Sequence, residues 1–216
     1  AWDGYEKIPT WIIQGYATMA LEAKEKLDEL GEKPTHVFAQ AGVGSLATGV
    51  TGYFSSVYPG EDKPFISIVE PEKANCVYRT AKADDGKIHH VTGEMNTIMA
   101  GLACGEPVTI GWPVLQSYAE AFLSVPDLSA ARGMRILGNP MKGDERVISG
   151  ESGAATIGPV SEILQREDLK ELKEKLQLDE NSVLLFFSTE GDTDFEHYRR
   201  VVWDGLHPNL DEDYKY

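Results

Sequence analysis

Apolar positions along the chain follow two spacings: short runs of strand length, and longer runs recurring every three to four residues. Trp11, Ile12, Tyr16, Met19, Ala20, Ala23, Leu27 and Leu30 keep helical spacing, and Glu22, Lys24, Glu25, Lys26, Asp28 and Glu29 fill the other face. A helix is therefore predicted over 11–30, with Thr10 as its N-cap and Gly31 ending it. His36-Val37-Phe38-Ala39-Gln40, after Pro34, is short, apolar and β-prone, and reads as a buried strand. A small-residue turn follows over 41–45, then a helix over 46–58. The next strand is predicted over 65–69, ending at Glu70-Pro71. Two βα units in succession imply parallel strands joined by helical crossovers.

Further along, helices are predicted over 73–83, 112–124 and 128–137, the last closed by Gly138-Asn139-Pro140. In 112–124 the residues Val114, Leu115, Tyr118, Phe122 and Leu123 form the inward face. The segment 93–105 reads as a short buried helix or coil. A short strand over 147–149 leads to a second small-residue turn, Gly150-Glu151-Ser152-Gly153-Ala154, ahead of a helix. A charged helix covers 168–176. The run 182–187 is the clearest buried strand, and it delivers Ser188-Thr189-Glu190-Gly191-Asp192 at its C-terminal end. The acidic tail over 210–216 is expected to fray. No internal repeat is present. The whole chain, 1–216, reads as one α/β region: an open three-layer sheet of mostly parallel strands with helices on both faces. Three turns then stand at strand C-termini (42–45, 70–71 and 188–192), where open α/β sheets bind ligands, and 150–153 is expected to face the same crevice.

The turn after the first strand carries the first chemical signal. Glycines at 42 and 44 let the backbone approach a ligand closely, and the N–H groups of the following helix turn have no partner within that helix. The helix dipole favours negative charge at that end, so Gly42, Val43, Gly44 and Ser45 form a candidate phosphate site, beside the plainer reading of an ordinary βα turn. A dinucleotide fingerprint needs a third glycine where Ala47 stands, and a P-loop needs Gly-Lys-Ser/Thr, which is absent. A phosphorylated cofactor or small phosphate ester fits better than NAD or ATP.

The composition narrows the setting. At 216 residues and a formal charge of −15, the chain is long enough for a sizeable core and too acidic for a nucleic-acid or anionic-membrane partner. No apolar run approaches the ~20 residues of a membrane span. Two cysteines, Cys76 and Cys104, make no disulfide framework and point to a reducing compartment, in line with a cytoplasmic protein. Cys104 lies in an apolar run and reads as a small buried hydrophobe. His36, His89 and His90 lack companions at ligand spacing, so no metal site is expected from them. The start, Ala1-Trp2-Asp3-Gly4-Tyr5, is neither a signal peptide nor an initiator methionine, and reads as a processed chain or a fragment.

Five segments occur in an order that is familiar: Gln-Ala-Gly-Val-Gly (40–44), Val-Glu-Pro (69–71), Thr-Ile-Met-Ala-Gly-Leu-Ala-Cys-Gly-Glu-Pro (97–107), Ile-Ser-Gly-Glu-Ser-Gly-Ala (148–154) and Ser-Thr-Glu-Gly-Asp-Thr-Asp (188–194). Together they resemble the C-terminal half of the diaminopropionate ammonia-lyases, over residues 1 to about 207. These are fold-type II pyridoxal-phosphate (PLP) enzymes, related to threonine deaminase and the tryptophan synthase β-subunit. The segments 97–107 and 188–194 are the specific ones; the glycine turn alone fits the wider group. The resemblance implies a tryptophan synthase β-like fold and pyridoxal 5'-phosphate as cofactor, its phosphate held by the backbone of Gly42, Val43, Gly44 and Ser45. It also implies that Ser188, with Thr189 as the alternative, sits beside the pyridine nitrogen. A neutral hydroxyl there leaves the ring less protonated than a carboxylate would, which suits β-elimination. Glu151 matches a position near the cofactor in relatives; a helix N-terminal carboxylate is the other reading of it. Glu70 matches a carboxylate of a metal site in some relatives, but the partner carboxylate falls at Cys76, so no metal is carried over.

In the family the Schiff-base lysine belongs to the N-terminal half, as does an aspartate for proton transfer, and a second aspartate lies just before the position of Ala1. The resemblance therefore assigns no catalytic residue to this chain and implies a missing N-terminal segment as its partner, with a homodimer expected. The implied reaction of the complete protein is α,β-elimination of 2,3-diaminopropionate to pyruvate and ammonia. Two alternatives stay open: a serine/threonine-type deaminase of the same family, and a non-catalytic phosphate- or PLP-binding module.

Overall fold

The computed structural model describes residues 4–208; the predicted frayed tail over 210–216 lies outside the described residues. Four parallel strands form one sheet in the order β3-β2-β1-β4. β1 (His36–Gln40) is flanked by β2 (Phe65–Pro71) and β4 (Leu184–Phe186), and β2 by β3 (Ala121–Val125). His36 pairs with Phe65 on one side and with Leu184 on the other. The predicted open α/β architecture is borne out.

Alternation along the strands builds the two faces. Val37, Ala39, Ile66 and Ile68 point to one side, where α1 (Lys7–Leu30), α2 (Ser45–Val57) and α3 (Cys76–Ala83) lie. Phe38 and Val69 point to the other side with Val125. There α5 (Asp127–Gly138), α7 (Ile157–Gln165) and α8 (Lys170–Lys175) cover the sheet. Phe38 and Phe54 are fully buried, one on each side of the sheet. Full burial of such a ring contributes about 1.5–3 kcal/mol. β1 is buried at all five positions, as expected of a central parallel strand.

Several predicted elements differ. α1 begins at Lys7, and Thr10 is inside its first turn, donating through N and Oγ1 to the Glu6 carbonyl rather than capping. Gly31 does end the helix, in the left-handed conformation. Of the expected apolar face, Ala20 is buried and Met19, Ala23 and Leu27 pack on the core, whereas Trp11, Ile12 and Leu30 remain exposed. α3 starts at Cys76, because the chain turns after Pro71, where Ala74 N–H donates to the Pro71 carbonyl.

The predicted helix over 112–124 is two elements. α4 (Trp112–Tyr118) ends where Ala119 adopts ψ 136, and β3 follows. Helical spacing of Phe122 and Leu123 is overridden by the open edge of β2, which offers a ladder of main-chain partners. Glu120 reinforces the join, taking the Ile66 N–H on its carboxylate and donating its own N–H to the Ile66 carbonyl. No strand forms over 147–149: Val147 N–H donates to Leu137 O of α5, and Ser149 Oγ accepts from Ser188. The turn there opens α6 (Glu151–Ala154). The run 182–187 supplies only the three residues of β4, half-buried because the strand lies at the sheet edge. The charged segment near 168–176 is a single 3-10 turn, Glu167–Leu169, followed by α8. α9 (Phe195–Val202), capped by Asp194, was not foreseen.

Candidate cofactor site at the sheet's C-terminal edge

A cleft of about 270 Å³ opens at the C-terminal ends of β1 and β4. Its floor is Gln40, Ala41 and the glycine turn from Gly42 to Ser45. Gly101, Leu102 and Cys104 form one wall, from the segment 97–107. Ser152, Thr189 and Glu190 form another, and Tyr16 of α1 stands at the rim. Four of the five segments that carried the resemblance thus meet around one space, and Val-Glu-Pro (69–71) lies outside its lining.

The turn has the backbone geometry of an anion cradle. Gly44 is the N-cap of α2 at φ +94, a region open to glycine but costly for other residues, and no side chain caps the helix. The N–H groups of Gly42, Gly44, Ser45, Leu46 and Ala47 have no acceptor among the described residues. Val43 differs: its N–H is directed at the Cys104 sulfur, and its carbonyl accepts from Val108 N–H at 2.7 Å. A Cβ on Gly42 would lie 3.1 Å from Cys104 Sγ and 3.2 Å from Leu102 Cα, so a side chain there would push the far wall outward. Thr48 locks the turn, both its N–H and its hydroxyl donating to Gly44 O at 2.8 Å.

The hydroxyls expected at the ring nitrogen divide. Ser188 donates to Ser149 Oγ at 2.9 Å and lies just outside the cleft lining, whereas Thr189 lines the cleft and accepts from Gln40 Nε2 at 3.0 Å. Glu151 opens α6, but its carboxylate turns to His197 Nδ1 at 2.7 Å and does not line the cleft. Glu190 supplies the carboxylate at that helix start, taking the Ser152 N–H at 2.6 Å, while its carbonyl takes the Gly150 N–H. Gln40, Ser152 and Glu190 were not singled out from the sequence. The signs of Gln40 were a polar residue closing an otherwise apolar strand and its place at the head of Gln-Ala-Gly-Val-Gly.

Glu70 lies at the end of β2, 1 % exposed, its two oxygens taken by Val77 N–H at 2.9 Å and Tyr78 N–H at 2.5 Å. Burial raises its carboxyl to about 8 against the opposing pull of these bonds. Burial, then the Glu70 charge, pushes the Cys76 thiol up to about 12, and burial also raises Cys104. Both cysteines are free and protonated thiols, the opposite of an activated nucleophile. His36 is a core histidine, its ring bridging Thr35 Oγ1 and the Leu176 carbonyl. No group of three potential metal ligands occurs among the described residues. No helix among them is long and apolar enough to cross a membrane.

A family model described as pyridoxal-phosphate dependent enzyme matches residues 3–187. The chain belongs to that family. Diaminopropionate ammonia-lyase of Escherichia coli strain K12 is 54% identical over 207 residues, 96% of this chain. The chain spans about half the length of the curated relatives it matches, 51% for this one. A crystal structure of the holo diaminopropionate ammonia lyase from Escherichia coli superposes with a TM-score of 0.88 at 51% identity. That match covers 96% of this chain and 51% of the other. The same enzyme in complex with an aminoacrylate-PLP azomethine reaction intermediate gives a TM-score of 0.87 at 51% identity, covering 96% and 52%. The resemblance seen in the sequence is therefore borne out, and with it the fold class.

The family's cofactor fits the cleft on the chain's own features. The donor-rich turn matches a phosphate dianion, and the narrow gap at Gly42 leaves no room for a side chain. Two buried polar atoms on the lining residues, Gln40 Oε1 and Ser152 Oγ, also have no protein partner. Among the described residues no lysine lines the cleft.

Proposed function

We propose that this chain is the cofactor-holding part of a pyridoxal-phosphate-dependent diaminopropionate ammonia-lyase. The supporting observation is the row of unpaired N–H groups at the mouth of α2, on a chain 54% identical to such an enzyme over nearly its whole length. In this reading 1–216 is one α/β region, most of the cofactor-binding domain. The complete enzyme takes 2,3-diaminopropionate to pyruvate and ammonia.

The roles of the chain's own residues follow from their positions. The N–H groups of Gly42, Gly44 and Ser45 hold the phosphate, with the α2 dipole adding to the attraction, and Val43 shapes the turn through its carbonyl bond. A neutral hydroxyl of the 188–189 turn, that of Ser188 or in its place that of Thr189, serves the ring nitrogen, and no carboxylate is needed there. Thr189 is the one that faces the cleft. Glu151 supports the far wall through His197 rather than touching the cofactor. When bound, the cofactor supplies an electron sink for the carbon that loses its proton.

With no lysine at the cleft among the described residues, attachment of the cofactor and proton transfer are assigned to a preceding segment of a longer protein. The amino-acid substrate would bind between that segment and this chain. The acidic charge and the two free thiols support a cytoplasmic location, and we infer a homodimer as the assembly. The 54% identity to a relative named diaminopropionate ammonia-lyase favours that substrate over serine or threonine.

The test supplies the chain with a preceding segment from a related ammonia-lyase and measures pyruvate and ammonia from 2,3-diaminopropionate, serine and threonine. Preferred turnover of 2,3-diaminopropionate is expected. Preference for serine or threonine would move the assignment to a deaminase. Cofactor binding without turnover of any of the three would leave a binding module.

A further inference from the structure

β1 and β4 pair over only three positions, the last being Phe38 with Phe186. Beyond them the two chains part, one entering the glycine turn and the other the 188–190 turn. The side chain of Gln40 spans that gap. Its Nε2 donates to Phe187 O at 2.7 Å and to Thr189 Oγ1 at 3.0 Å. Gln40 is buried, and the carbonyl of Phe187 can only accept, so the amide is held with nitrogen toward β4 and Oε1 away from it. Both protons of the amide are spent. Thr189 is the acceptor in its bond, which leaves its own proton free to point elsewhere, and it lines the cleft.

Resting on the cofactor reading above, we propose that Gln40 is a positioning residue for the cofactor. Its amide replaces the main-chain bonds that the diverging strands cannot make. In doing so it fixes the Ser188–Thr189 turn at a set distance from the phosphate-holding turn that begins at the next residue. A cofactor with its phosphate at one end and its ring nitrogen at the other binds well only if those two turns keep their spacing. Inorganic phosphate reads only the first turn; pyridoxal 5'-phosphate reads both.

The test compares these two probes on the chain completed by a preceding segment of a related ammonia-lyase and on its Gln40→Met, Gln40→Glu and Thr189→Val variants. Binding is measured by calorimetry for phosphate and by the absorption and fluorescence of the bound coenzyme. Methionine keeps the length without the donors, and glutamate sets an acceptor against two acceptors. Thr189→Val breaks the same bond from the other end and also removes the hydroxyl that faces the ring, so an unchanged affinity there overturns the proposal even should the Gln40 variants fail to fold. The expected result is a loss of at least tenfold in coenzyme affinity, with a shifted emission band, while phosphate affinity changes less than threefold. Equal losses for both probes would make Gln40 a support of the fold only and overturn the proposal, as would unchanged coenzyme affinity in Thr189→Val. A wild-type chain that binds neither probe would instead bring down the cofactor reading, and this inference with it.

Discussion

Glu190 accepts the main-chain N–H of Ser152 at 2.6 Å, across 38 residues of sequence. The carboxylate that serves the start of α6 is therefore not the adjacent Glu151, which is drawn aside to His197. One side chain fastens the turn after β4 to the wall of the cleft, and the 188–190 turn is held from both sides, by Gln40 and by Glu190.

Removing that fastening should cost about what a helix cap is worth. Glu190→Ala is expected to lower the unfolding free energy by about 1 kcal/mol, and Glu190→Gln by less, because glutamine still offers an acceptor. Urea denaturation at pH 7 measures both; unchanged midpoints in the alanine variant would show that the bond contributes nothing.

Gly44 is fixed by its φ of +94. Its hypothetical Cβ meets only ordinary contacts, the nearest at 3.5 Å, so the penalty in Gly44→Ala comes from backbone strain of about 1–2 kcal/mol rather than from collision. Gly44→Asp adds a carboxylate at the anion cradle and should abolish coenzyme binding. A fluorescence titration reads this directly, and unchanged affinity in the aspartate variant would refute the phosphate assignment.

Glu70 gives the chain a pH-dependent term of known sign. Its carboxyl is raised to about 8 when folded, against an ordinary value near 4.5. The folded state thus holds a proton that the unfolded chain releases between these limits. Stability from this group is complete below about pH 4.5 and falls as pH rises toward 8. Glu70→Gln, which stays neutral, should flatten that slope, so the variant gains on the wild type between pH 5 and pH 8.5. Urea midpoints across that range test it; parallel profiles would mean that Glu70 stays ionised in the fold.

Ser188→Asp should leave phosphate anchoring intact. In the protein completed by a preceding segment it should impair elimination, because a carboxylate near the ring nitrogen favours its protonation. Full pyruvate release by that variant would place Ser188, already bonded to Ser149, away from the ring.

The sequence by itself determined the elements whose signal is local. β1 and β2 were legible because their burial makes them continuous apolar runs, and the glycine turn because Gly44 must take a backbone conformation that other residues resist. The meeting of 42–45, 188–190 and Ser152 around one cleft was anticipated from turns at strand C-termini, whereas the wall from 97–107 was not. Only the tertiary structure decided the rest. Residues 121–125 carry helical spacing, yet become β3 because the edge of β2 has main-chain groups to satisfy. Residues 147–149 look like a strand and are not, the Val147 N–H being taken by Leu137 O of α5 outside any sheet. Glu151 lost its expected place at the cleft, and Gln40 and Glu190 gained roles there, because a polar side chain is assigned by whichever donor or acceptor the fold brings within about 3 Å, and that choice is not written in its neighbours along the chain.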